Sequence, residues 1–151
     1  MITRTPLIVR LPNWVGDVIM TLPSLHALHS AGFDLHLFGQ KWILDLLSLF
    51  PAQLSHIPKS LPQASYLLRS TAIERALLFT NSLSSALVMY FAGKKIIAYK
   101  NNIRNWLLEE KIAKSNHLHE VEYFWEIAKL ASQIWLPHSL WPVTLPKSIH
   151  L

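Results

Sequence analysis

The sequence predicts a doubly wound, Rossmann-like α/β domain on a mostly parallel sheet. Short apolar or alternating runs recur along the chain, and helical patterns separate them at spacings that suit βαβ crossovers. The composition agrees: 151 residues, 51% hydrophobic and 15% charged, fit one ordinary core and argue against disorder.

The elements follow in order. Pro6–Leu11 is short, apolar and β-branched, as expected of a buried strand. A polar turn covers Pro12 to Asp17, and then Val18, Leu22, Leu25 and His29 share one helical face. Pro23 lies within that pattern, so the helix either starts near Thr21 or bends there. Gly32 is its expected C-terminal glycine. Asp34–Gly39 alternates as a second strand, and Gln40–Phe50 reads as a second helix. A short third strand is expected at Leu54–Pro58, a weaker helix at Leu61–Thr71 and a fourth strand at Arg75–Phe79. Thr80 to Ser82 forms a second polar strand-to-helix turn, leading into an apolar helix at Leu83–Ala92. Lys95–Tyr99 makes a fifth strand, and Lys100–Asn116 is irregular with a short helix around Trp106–Lys114. His119–Trp135 is a long amphipathic helix with Phe124, Ile127, Ala128 and Ala131 on its apolar side. Residues 1–135 therefore form the domain. Residues 136–151, with Pro137, Pro142 and Pro146, read as a proline-rich linker or tail.

Several function classes fall away. The longest apolar runs, such as Ala86 to Ala92, are far shorter than the roughly 18 residues a membrane span requires. Arg10 interrupts the amino-terminal apolar stretch, so it does not read as a signal peptide, and the expected location is the cytoplasm. The chain has no cysteine, which removes disulfides and thiolate metal sites. Its four glycines provide no dinucleotide fingerprint and no phosphate loop, and no serine-hydrolase elbow is present. His117 and His119 with Glu120 and Glu122 are the densest set of metal ligands, but capping and surface roles explain them more simply, so no metal is expected. The net charge is +5, and Lys94, Lys95, Lys100, Arg104, Lys111 and Lys114 crowd into 21 residues. That segment is either a solvated face or a contact for phosphate or anionic lipid. Without a motif or interleaved aromatics, it does not suggest nucleic acid.

Open α/β sheets bind ligands beyond the carboxyl ends of their strands. Two turns have that position: residues 13–17, and Thr80 to Ser82 with Ser84 and Ser85 after it. Asp17 is one of only three aspartates. It can accept a proton from a bound hydroxyl, or it can simply cap the helix that follows. Gly16 would let the backbone turn tightly beside a ligand.

The run from Val9 to Leu25, with Trp14-Val15-Gly16-Asp17 at its centre and Met20 and Pro23 after it, resembles the opening motif of ADP-heptose:lipopolysaccharide heptosyltransferases of glycosyltransferase family 9, particularly the heptosyltransferase II branch. Leu78 to Leu87, holding Asn81 and Ser82 and followed by Phe91-Ala92-Gly93, is similar to a second family motif. His119 to Tyr123 is a looser third, with Tyr123 where the family usually has arginine. The resemblance implies the amino-terminal, acceptor-binding half of a GT-B fold. It makes Asp17 the general base of an inverting transfer of heptose from ADP-heptose to the lipopolysaccharide inner core, with Gly16 shaping its loop. Asn13 and Trp14 become candidates for acceptor contact, Trp14 having simple packing on the helix as its alternative. Asn81, Ser82 and Ser85 either bind sugar hydroxyls or cap their helix. Lys100 and Arg104 are candidates for anionic groups of the acceptor. No cofactor is implied beyond the donor substrate. ADP-heptose is expected to bind a carboxyl-terminal donor domain outside this chain, without which the chain is expected to be inactive. The other reading is a non-catalytic or degenerate module that binds glycolipid or anionic membrane through residues 94–114.

Overall fold

The computed structural model describes residues 3–100, 105–112, 119–136 and 141. Six strands form one sheet in the order β3-β2-β1-β4-β5-β6, and every pairing is parallel. The elements are β1 (Thr5–Arg10), α1 (Val15–Ala31), β2 (Phe33–Gly39), α2 (Lys41–Leu46), β3 (Gln53–His56), α3 (Leu61–Arg69), β4 (Arg75–Leu78), α4 (Leu83–Phe91), β5 (Lys95–Tyr99), a 3-10 turn at Asn105–Leu107, β6 (Glu110–Ile112) and α5 (Glu120–Trp135).

The side-chain alternation of a strand sorts the core into two layers. Leu7, Val9, Leu35, Leu37, Leu77 and Ile97 face α1 and α5, meeting Leu25, Leu28, Phe124 and Ile127. Ile8, Phe38, Ala76, Leu78, Ile96 and Ala98 face the other way, onto Ala64 and Leu68 of α3 and Ala86 and Met89 of α4. Both faces of the sheet are therefore covered, which is why β1 is buried along four consecutive residues. Arg10 follows Ile8 on the α3/α4 side.

Helix α1 begins at Val15, so Pro23 lies inside it and does not start it. An interior proline costs about 3 kcal/mol through its missing N–H and its ring. Burial of Pro23, Leu25 and Leu28 in the α1 layer offsets that cost. Gly32 ends the helix in the left-handed conformation at φ 118, as a C-terminal glycine should. The second helix stops at Leu46, short of Phe50, and a turn leaves Leu49 98% exposed. Ser60 caps α3 and Ser82 caps α4, each side chain accepting a backbone N–H three residues on.

One strand was not expected. Glu110–Ile112 pairs with β5 as a sixth, edge strand where a short helix was predicted, and the helical part is only the 3-10 turn before it. The Glu109 N–H donates to the Ile96 carbonyl at 2.8 Å, which docks this segment on the open side of β5. Of the proline-rich tail, only Leu136 and Trp141 fall within the described residues. Among the described residues, no helix is long and apolar enough to cross a membrane.

Candidate active site

The sheet order reverses between β1 and β4, so the loops that follow these strands diverge and leave a crevice at their carboxyl ends. Backbone bonds fix the start of both loops: Leu11 N–H to the Phe38 carbonyl at 2.9 Å, and Phe79 N–H to the Arg10 carbonyl at 3.1 Å. The crevice holds an open cavity of about 260 Å³. Pro12, Asn13, Trp14 and Asp17 form one wall, Phe79 to Ser82 another, and Tyr123 and Phe124 of α5 the third.

Asp17 is half-buried and faces this cavity. It is not a helix cap. The N-cap of α1 is Trp14, extended at φ −116 and ψ 142, and no side chain caps this end. Asp17 sits in the first helical turn, where the unpaired N–H groups favour a carboxylate. Trp14 is 74% exposed, so packing on the helix does not explain it. An aromatic face standing at a polar cavity is suited to the apolar side of a sugar ring. Asn13 is exposed, and its Oδ1 accepts from the Arg10 guanidinium at 3.0 Å and from Gln40 Nε2 at 3.4 Å. This leaves the Asn13 amide N–H group as the donor for a ligand.

On the opposite wall, Ser82 combines both of its expected roles. It caps α4 through the Ser85 N–H at 3.2 Å, and it lines the cavity. Asn81 is held by Tyr123, whose hydroxyl donates to Asn81 Oδ1 at 2.6 Å. Tyr123 in turn stacks on Tyr99, with ring centroids 3.9 Å apart and a 15° angle between the planes. The Tyr99 hydroxyl donates to the Tyr123 carbonyl, and burial together with Tyr123 and Glu126 pushes the Tyr99 phenol upward from its ordinary value. The position where the family motif would lead one to expect arginine is thus a positioning residue for Asn81. We expect Tyr123→Phe to keep the stack, to change stability by at most about 1.5 kcal/mol, and to weaken several-fold the binding of any ligand that Asn81 contacts. Comparing urea midpoints with ligand titrations checks this.

The remaining sites lie elsewhere. Ser85 is buried and lines a neighbouring cavity. Its hydroxyl is fully engaged, accepting from Thr80 at 2.7 Å and Ser82 at 2.9 Å and donating to the Ser82 carbonyl at 2.9 Å. Lys100 is exposed just beyond β5 and lines neither cavity. Arg104 lies outside the described residues. Gly16 does not make the tight turn assigned to it. It sits within the first turn of α1 without a positive φ, and a Cβ there would meet no atom within 4 Å. Gly16→Ala should therefore keep or raise stability, by up to about 1 kcal/mol. Lost ligand binding at unchanged melting temperature would instead show that Gly16 serves close approach of a ligand.

Within the basic segment Lys95 and Lys100 are exposed, whereas Lys94 is engaged. Lys94 Nζ donates to the Thr71 carbonyl at 3.1 Å, to Thr71 Oγ1 at 3.2 Å and to the Ile73 carbonyl. Burial lowers its pKa. It ties the α3–β4 loop down. Among the described residues, no three histidines, aspartates or glutamates gather as a metal site; His117 of the cluster noted above lies outside them.

Solved structures with this architecture have known chemistry. The chain superposes on ADP-heptose lipopolysaccharide heptosyltransferase II of E. coli with a TM-score of 0.74 and 24% identity, over 82% of this chain and 40% of that one. The fold is the heptosyltransferase one. It matches the amino-terminal part of the GT-B enzymes. E. coli heptosyltransferase WaaC with ADP gives a TM-score of 0.73 at 18% identity, over 93% of this chain and 49% of that chain. A glycosyl transferase family 9 protein from Veillonella parvula gives 0.75 at 11% identity, over 86% and 42%. The chain thus spans about half the length of the heptosyltransferase-like structures it matches. No protein-family model and no curated protein sequence matches it.

Proposed function

We propose that this chain is the acceptor-binding half of an inverting glycosyltransferase that moves heptose from ADP-heptose to the lipopolysaccharide inner core. One observation carries the reading: Asp17 stands with Asn13, Trp14, Asn81 and Ser82 around one open cavity at the switch point of a heptosyltransferase-like fold. In this reading the Asp17 carboxylate removes a proton from an acceptor hydroxyl as that oxygen attacks the anomeric carbon of the donor. The bond from that carbon to ADP breaks, and the configuration inverts. Trp14 supports the face of the acceptor ring, while Asn13, Asn81 and Ser82 meet its hydroxyls.

The donor nucleotide is assigned to a carboxyl-terminal domain, and no cofactor or metal enters the scheme. The domain would work in the cytoplasm, at the inner face of the membrane that carries its acceptor. Transfer requires donor and acceptor to be held together. Pairing the chain with a heptosyltransferase donor domain is therefore expected to give ADP-heptose-dependent modification of inner-core acceptor, read by mass spectrometry. A folded pair that binds both substrates and transfers nothing would overturn the proposal.

A further inference from the structure

A second cavity of about 140 Å³ opens on the α3/α4 side of the same crevice, and it meets the first at Asn13 and Ser82. Its floor includes Arg10, which is only 8% exposed. The guanidinium donates to the Leu11 carbonyl at 2.6 Å and to Asn13 Oδ1 at 3.0 Å, which engages two of its five donors. Among the described residues no carboxylate pairs with it, and none lines the cavity. Lys59 adds a second cation at the rim. The starts of two nine-residue helices also reach this space, α3 through Leu61 and α4 through Ser82 and Ser84. Helix N-termini direct positive potential at whatever lies before them, here with the Gln63 and Ser85 N–H groups already taken by the Ser60 and Ser82 caps.

A buried charge without a counter-ion is costly, and burial lowers the Arg10 pKa without making it neutral at physiological pH. With no carboxylate here among the described residues, that role is open to a ligand. We propose that the second cavity is an oxyanion subsite, in which Arg10 and Lys59 hold a carboxylate or phosphate group. Because the two cavities adjoin, a ligand anchored there by its anionic group can extend a hydroxylated ring toward Asp17. That extension rests on the proposed function, whereas the anion binding itself does not.

The test is calorimetric titration of the full chain, in low-salt buffer free of phosphate, with inorganic phosphate, glucuronate and glucose. One or both anions should bind, and glucose should not bind over the same concentration range. Binding by phosphate alone assigns the site to phosphoryl groups, and binding by glucuronate alone to acidic sugars. Arg10→Gln, with its fold verified by circular dichroism, should weaken anion binding about ten- to a hundred-fold, and Lys59→Ala several-fold. The proposal fails if neither anion binds, if glucose binds as well as glucuronate, or if folded Arg10→Gln binds like the parent. Should Arg10→Gln not fold, Lys59→Glu at the exposed rim decides, and unchanged binding there overturns it. No turnover enters the titration, so an error about Asp17 would leave the outcome intact.

Discussion

If Asp17 is the base proposed above, Asp17→Asn, made in the chain paired with a heptosyltransferase donor domain, should lower transfer by about 100- to 10,000-fold, the usual contribution of a positioned base. Asparagine keeps the size and shape of the side chain but cannot take up the proton. Folding should be nearly unaffected, because Asp17 makes no hydrogen bond or ion pair among the described residues and is not the helix cap. The small loss expected is that of a negative charge in the first turn of a helix, about 0.3–1 kcal/mol.

Trp14, Asn13 and Asn81 line the cavity in both variants; if they hold the acceptor as proposed, its affinity should remain within a few-fold and the defect should fall on turnover. A loss confined to acceptor affinity would make Asp17 a binding residue. Undiminished transfer would remove it from the reaction.

The central strands and helices were legible in the sequence because each local pattern agrees with its place in the sheet. Ile96–Tyr99 is apolar and flanked by Lys95 and Lys100, and both of its faces are covered. Glu110–Ile112 has no such pattern. An edge strand bearing charges is set by the backbone groups β5 leaves open, which only the assembled sheet reveals. The place of Asp17 at the crevice was legible because a turn after the first strand of this fold lies there. Arg10 was not, since within an apolar run it read as an interruption. Part of the signal was present: Ile8 and Arg10 share a face by strand alternation, which puts a cation at the carboxyl end of β1 on the side where the structure opens the second cavity. Tyr123 was hidden for another reason, because its partners Tyr99 and Asn81 are distant in sequence.

The largest effect on stability is expected from Phe124→Ala. Phe124 is 3% exposed and joins the α5 layer to the wall of the first cavity. Its ring meets Phe79 edge-on at 5.1 Å and Tyr123 edge-on at 5.3 Å, between the end of β4 and the start of α5. Truncation removes the apolar surface of the ring and leaves a void that a strand end and a stacked tyrosine pair cannot readily close, at a cost of about 3–5 kcal/mol. Against the roughly 5–15 kcal/mol that stabilise an ordinary domain, this is a large fraction. The urea midpoint should fall sharply at constant slope. Leu49→Ser provides the contrast: at 98% exposure, its midpoint should move by no more than about 0.5 kcal/mol in equivalent stability. Similar shifts in the two variants would mean that α5 does not pack over the sheet, and the third wall of the cavity would be lost with it.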